Sequence, residues 1–212
     1  MSNVLAVGAH PDDVEFSCGG TLLWHKERGD KVVILHATNS GYINTITGER
    51  MRTSEQSKEE STKSADILGC DFYQLDFKEQ ELEFGIEFIT KIEEIILSEE
   101  IDLVYTHGIN DPHQDHRAVH RTVMAASRSV HNIFCFEQLP LPRVRHNDNP
   151  NYFVDVTEFF ERKMDACKAH KSQIDKYGDQ ILHAMKALSI FRGSQVGCEF
   201  AEAFLSIKQF SN

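Results

Sequence analysis

Two short stretches carry side chains whose types and spacing suit joint chemistry. GAHPDDVEFSCGG (Gly8–Gly20) places His10, Asp12 and Asp13 directly after the apolar run Val4–Val7. THGINDPHQDHRAVH (Thr106–His120) places His107, Asp111, His113, Asp115, His116 and His120 within fourteen residues. Imidazole and carboxylate donors without thiolate suit Zn²⁺, with Fe²⁺ or another divalent ion as alternatives. A catalytic zinc takes three protein ligands and keeps a position for water, which becomes a nucleophile near neutral pH. A carboxylate off the metal then serves as general base, and a histidine outside the ligand set donates to a developing oxyanion. On that division of labour, two adjacent aspartates have separate tasks. Each cluster also has a plainer explanation, since Asp12, Asp13, Asp111 or Asp115 would each make an ordinary helix cap. Two acids plus a histidine exceed what a cap requires. His113 and His116 (i, i+3) and His116 and His120 (i, i+4) further suit one helical face.

The elements that must position these groups follow from hydrophobic periodicity. Val4–Val7, Lys31–His36, Asp71–Leu75, Ile101–Tyr105 and Ile133–Phe136 are short, apolar and rich in Val, Ile and Phe, which predicts buried strands. Between them, Gly19–Arg28, Thr53–Leu68, Phe84–Leu97 and Asp115–Ser129 read as helices, with Gly29 and Gly69 at stop positions. This alternation predicts a Rossmann-like α/β fold, a mostly parallel sheet with helices on both faces. Ligands of such sheets bind beyond the carboxyl ends of the strands, so the two clusters converge on one crevice. After Pro140 the pattern is less regular. It reads as a polar loop over Arg143–Asn151, an edge strand near Phe153–Val156, helices near Glu158–Lys171 and Asp179–Ser189, and a last strand near Ala203–Ile207. No internal repeat or linker interrupts residues 1–212, which predicts a single α/β domain.

Composition narrows the function classes. The 212 residues carry a formal charge of −11, which opposes nucleic-acid binding because backbone contacts require clustered Lys and Arg. No stretch has the length of a membrane span and the first residues lack a signal-peptide pattern, so a cytoplasmic protein with no membrane insertion is expected. Five dispersed cysteines without C-x-x-C read as reduced core residues. Walker, G-x-G-x-x-G, G-x-S-x-G and H-E-x-x-H signatures are all absent from the chain.

The two clusters together resemble the LmbE-like, PIG-L-type metal-dependent de-N-acetylases. Val7–Leu22 is similar to that family's A-H-P-D-D motif with its glycine pair, and Asp111–His120 to its H-P-D-H-R motif, with Gln114 in place of the proline. AHKSQ (Ala169–Gln173) is similar to a third motif, H-x-S-Q, and Ala201–Lys208 resembles the usual chain end. The resemblance implies metal ligands at His10, Asp13 and His116 and a general base at Asp12. It further implies an oxyanion-stabilising acid at His113, oriented by Asp115. The implied reaction removes an N-acetyl group from a small-molecule amino-sugar or its conjugate and releases acetate. A substrate-holding arginine is expected upstream of Ile67–Gly69; counting back reaches Ser57, leaving Arg52, or Arg50 with a shifted loop, to supply it. His170 either lines the pocket or closes a helix. His107 and His120 read as supporting or structural groups.

Two other functional classes fit the same residues. One is a catalytically silent metal protein that holds a sugar or a partner; the other is a different metal-dependent amidohydrolase. The filled catalytic positions oppose the first, whereas the second would use the same reacting groups. Substrate choice falls to Tyr42–Arg52 and Pro140–Asn151, which carry no recognisable motif, and a homo-oligomer remains open.

Overall fold

The computed structural model describes residues 1–43, 48, 50–138 and 149–210. In chain order the elements are β1 (Asn3–Gly8), α1 (Asp13–Glu27), β2 (Lys31–Thr38), β3 (Tyr42–Ile43), β4 (Arg50–Arg52), α2 (Ser54–Leu68), β5 (Asp71–Phe77) and α3 (Ile86–Ser98). They continue with β6 (Leu103–Thr106), α4 (Gln114–Ala126), β7 (Asn132–Phe136), β8 (Tyr152–Asp155), α5 (Phe160–Ala169), α6 (Lys171–Tyr177), α7 (Gln180–Val196) and β9 (Ala201–Lys208).

Seven strands form one sheet in the order β5-β2-β1-β6-β7-β9-β8. The first five run parallel, and β9 lies antiparallel to both β7 and β8. Successive residues of β1 face opposite sides, as strand geometry dictates. Val4 and Ala6 join the core beneath α1, α2 and α5, whereas Leu5 and Val7 join the core beneath α3 and α4. Each fully buried Leu or Val contributes about 1.5–3 kcal/mol, which is why central strands of this kind are apolar on both faces. In α3 the same logic takes helical spacing: Phe88, Ile92, Ile95 and Ile96 are its buried residues. The fold is therefore the expected α/β arrangement of a mostly parallel sheet between helical layers. Strand order reverses at β1, whose neighbours are β2 and β6, and the crevice of such sheets opens at that reversal.

Four differences from the sequence reading affect the site. The first helix begins at Asp13 rather than at Gly19, and Cys18, at φ −137° and ψ 15°, interrupts it one residue before the expected start. Gly20 is required just after that break, because a Cβ there would stand 2.9 Å from Val156 Cβ. The expected helix near Glu158–Lys171 divides at His170, whose ψ of 60° ends α5 and admits a separate α6. The last helix runs on past Ser189 to Val196, where Gly197 takes the left-handed conformation (φ 84°) that stops it. Finally, the ends of Tyr42–Arg52 pair as a short antiparallel ladder of β3 with β4. Residues 44–47 and 49 of that segment, and 143–148 of the expected polar loop, lie outside the described residues.

Candidate active site

His10, Asp12 and Asp13 follow the carboxyl end of β1, and His107 to His116 follow that of β6, its direct neighbour. The turn after β1 is tight. A Cβ on Gly8 would lie 3.0 Å from Asp13 Cβ, so glycine there lets the start of α1 fold back over the strand. Asp13 Oδ2 accepts the His10 backbone N–H at 2.7 Å, which locks its carboxylate toward the His10 ring.

Three of the expected residues meet at one point. His10 Nδ1 lies 3.3 Å from Asp13 Oδ2 and 3.2 Å from His116 Nε2, and His116 Nε2 lies 3.4 Å from Asp13 Oδ1. The far nitrogens of both rings are engaged elsewhere. His10 Nε2 is 2.9 Å from Asp115 Oδ2, and His116 Nδ1 is 2.9 Å from Asp111 Oδ2. An imidazole whose outer nitrogen carries a proton toward a carboxylate presents a lone pair at the inner one. Two ring nitrogens and a carboxylate then face one another at 3.2–3.4 Å, an arrangement in which a cation would take the place of the proton that His10 otherwise holds. Bonds of about 2.0–2.1 Å in a tetrahedral site place ligand atoms about 3.3–3.4 Å apart, so the spacing fits zinc. Burial disfavours charge on His10, but the Asp115 and Asp13 carboxylates outweigh it and raise its pKa to about 10 without metal. Asp13 is held well below the usual carboxylate range: burial opposes this, but His116, His107 and His10 overcome it.

Other ring nitrogens stand close by. One from His113 lies within 4.8 Å of those of His10 and His116, and His107 groups likewise with Asp13 and His116. His107 is fully buried, with its ring stacked on His116 at 4.0 Å and its Nε2 3.2 Å from Asp13 Oδ2. That nitrogen also accepts the Ala9 backbone N–H at 3.0 Å, while His120 Nδ1 lies 2.8 Å from the His107 carbonyl.

Asp12 occupies the N-cap position of α1 but makes no side-chain cap bond, so its carboxylate is left for another task. Its backbone is strained, at φ 118° and ψ −29°. A non-glycine residue held in such a region costs about 1–3 kcal/mol, and residues of this kind concentrate at functional sites. Burial and the neighbouring Asp13 push the Asp12 pKa up to about 7, against the opposing charges of His170, Arg52 and His10. Arg52 and His170, the two expected substrate contacts, therefore both act on Asp12. Arg52 is buried; its Nε donates to the Ser40 carbonyl at 3.0 Å, and its Nη1 has no hydrogen-bond partner among the described residues. The side chain of Arg50 lies outside the described residues.

Asp115 differs from its expected placement. It reaches His113 through its backbone N–H, which donates to Nδ1 at 3.2 Å, while its carboxylate faces His10 and also accepts the Gln80 N–H. Because Nδ1 accepts, the neutral His113 ring carries its proton on Nε2. Burial, with His10 and His116 adding to it, lowers the His113 pKa to about 4.

The sequence reading passed over Glu15 and His36. Glu15, His36 and His170 are all fully buried, with Glu15 Oε1 3.2 Å from His170 Nε2 and Glu15 Oε2 3.3 Å from His36 Nε2. His170 thus closes α5, and its charge also bears on Asp12. Nothing in the local pattern signals this, because the three residues come from α1, β2 and the α5–α6 corner.

Comparison with known proteins agrees with this architecture. The family model PIG-L, described as GlcNAc-PI de-N-acetylase, matches residues 5–127, which include both His/Asp clusters. An uncharacterised deacetylase of Escherichia coli, YaiS, is 34% identical over 179 residues, covering 80% of this chain and 90% of that protein. The diacetylchitobiose deacetylase of Thermococcus kodakarensis is 27% identical, covering 95% of this chain and 82% of that protein. A crystal structure of the 4-carboxy-2-hydroxymuconate hydratase GalB from Pseudomonas putida superposes with a TM-score of 0.85. It covers 100% of this chain and 98% of that one at 17% identity, a likeness of fold alone. With its two motifs at the carboxyl ends of adjacent strands and the family model spanning both, the chain belongs to the PIG-L family of de-N-acetylases.

Proposed function

We propose that the chain is a metal-dependent hydrolase that removes the acetyl group from an N-acetylated amino-sugar or amino-sugar conjugate. In this reading His10, Asp13 and His116 hold the ion, Zn²⁺ first and Fe²⁺ or another divalent ion as alternatives. The observation that carries it is the 3.2–3.4 Å convergence of those three side chains beside an uncapped Asp12. The deacetylases among the relatives support the acetamide as the bond attacked. The hydratase of the same fold shows that fold alone does not select the reaction, so the assignment rests on the site.

An ion bound there would polarise the acetamide carbonyl and make water nucleophilic near neutral pH. Asp12 takes the proton of the attacking water, and a pKa of about 7 suits a base working near neutrality. As the water oxygen bonds to the carbonyl carbon, charge develops on the carbonyl oxygen, where His113 donates its Nε2–H. The low His113 pKa favours this role for a neutral imidazole over that of proton source. The C–N bond then breaks, and the proton held by Asp12 passes to the leaving amine, giving acetate and a free amino-sugar. Arg52 would hold an oxygen of the substrate, a role supported by its burial and by an Nη1 without a hydrogen-bond partner among the described residues. His170 serves as a cationic group whose charge favours the ionised form of Asp12.

The test is acetate release from a panel of N-acetylated sugars, before and after chelation and after Zn²⁺ is restored. Loss with chelator and recovery with metal are expected. Chelator-insensitive release would overturn the metal-dependent mechanism.

A further inference from the structure

Two of the three converging side chains have a carboxylate on their outer side, but Asp13 is itself an acid and needs a donor. Gln138, just beyond the end of β7, supplies one: its Nε2 donates to Asp13 Oδ1 at 3.2 Å. On its other side Gln138 Oε1 accepts the Ser17 hydroxyl at 3.1 Å. The direction of the amide follows from chemistry. A carboxylate oxygen accepts, so the NH₂ end of Gln138 faces Asp13, and the carbonyl end is left for the Ser17 hydroxyl.

Both residues are fixed from outside the site. Ser17 lies one residue before the break in α1 at Cys18. Gln138 follows Glu137, whose backbone N–H donates to the Ala203 carbonyl and extends the register of β7 on β9. The Glu137 carboxylate takes a two-pronged contact from Arg192 of α7, with Nε 2.7 Å from Oε2 and Nη2 on Oε1. A forked guanidinium–carboxylate pair fixes direction as well as distance. Helix α7 and strand β9 therefore hold the residue before Gln138 against the crevice, more than a hundred positions in sequence from Asp13.

We infer that Gln138, steadied by Ser17, is a positioning residue for the metal ligand Asp13. Its amide holds Oδ1 on the His116 side and leaves Oδ2 to the His10 backbone and ring. Without it Oδ1 loses this amide donor while Oδ2 keeps the His10 N–H, and the ligand set is less firmly preformed. Outer partners of this kind change metal affinity by about 10–100-fold. The inference rests on the metal site proposed above, and the experiment separates failure of one from failure of the other.

The experiment is competition for Zn²⁺ between the full-length protein and a chromophoric chelator. It compares the wild type with Gln138→Met, which keeps length and volume but removes the donor, with Ser17→Ala, and with the double variant. Gln138→Met is expected to bind Zn²⁺ at least tenfold more weakly. Ser17→Ala should bind a few-fold more weakly, and the double variant no more weakly than Gln138→Met, because both act through one amide. At saturating Zn²⁺ the variants should recover a wild-type KM. Equal affinity of Gln138→Met and wild type would overturn the inference while leaving the metal site intact. So would unchanged affinity with a raised KM at full occupancy, which would make Gln138 a substrate contact. A wild type that binds no Zn²⁺ would overturn both readings. Should Gln138→Met fail to fold, Ser17→Ala alone still decides, since unchanged affinity there would remove the relay.

Discussion

His10 Nε2 lies 2.9 Å from Asp115 Oδ2, across 105 residues of sequence, and this contact decides which nitrogen of His10 faces the site. With Nε2 turned to the carboxylate, Nδ1 is the atom presented toward Asp13 and His116. Asp115→Ala should release the ring and reduce Zn²⁺ affinity by about 10–100-fold, the usual effect of losing an outer carboxylate. Competition with a chelator measures this. An unchanged affinity would mean that the backbone turn at Pro11 orients His10 without help.

Asp12 and Asp13 are neighbours with opposite electrostatic fates. Three imidazoles hold Asp13 ionised, whereas burial and the Asp13 charge push Asp12 up to about 7. Asp12→Asn is therefore expected to lower kcat by about 10²–10⁴-fold, the range for loss of a general base, while bound metal stays at the wild-type stoichiometry. Activity and metal content measured on the same preparation give the answer. Loss of metal in Asp12→Asn would show that the roles of the two aspartates are exchanged.

What could be read from the sequence was whatever short-range pattern specifies. The strands Val4–Val7 and Lys31–His36 are apolar on both faces because helices cover both faces, and a run of that kind is visible locally. The two His/Asp clusters were legible because each follows a strand as a compact group of metal-compatible side chains, whereas it was the family resemblance, not the spacing, that singled out His10, Asp13 and His116 within them. The partners that hold them were not. The Asp115 carboxylate faces His10 rather than His113, and Glu15 meets His36 and His170, because packing in three dimensions selects those pairs. The start of α1 was misplaced for a related reason. A glycine pair in mid-helix reads as a boundary unless a distant acceptor satisfies the freed N–H groups.

That acceptor is Glu202. The break at Cys18 frees two backbone donors, and Glu202 Oε1 takes Gly20 N–H at 3.0 Å while Oε2 takes Thr21 N–H at 2.6 Å. Lys163 Nζ lies 2.6 Å from Oε1, and both side chains of this pair are buried. Removing one partner of a buried pair strands the other charge, at a cost of about 3–5 kcal/mol. Glu202→Ala should lose about that much in urea unfolding, and adding Lys163→Met should restore part of it by removing the stranded ammonium. If the double variant is no more stable than Glu202→Ala, the loss comes from the uncapped helix and not from the charge.

A second buried network sets the response to acid. His25 Nδ1 lies 2.7 Å from Asp30 Oδ2 and its Nε2 lies 3.0 Å from the Tyr105 hydroxyl, while Ser2 N–H donates to Asp30 Oδ1. Burial keeps the His25 pKa below its ordinary value despite the nearby carboxylate. Burial would raise that of Asp30, but the hydrogen bonds from His25 and Ser2 outweigh it and hold it low. Both folded values are depressed, so both groups contribute stability that is complete at high pH and lost on acidification. For His25 the loss begins below its unfolded pKa of about 6.5 and runs down through its lower folded value; for Asp30 it begins below about 4. The melting temperature should therefore fall between pH 7 and pH 5. In His25→Gln, which keeps an amide in place of the ring but cannot titrate, that fall should be smaller. Parallel pH slopes for the two proteins would show that His25 takes up its proton without disturbing the fold, and that the acid response lies with other groups.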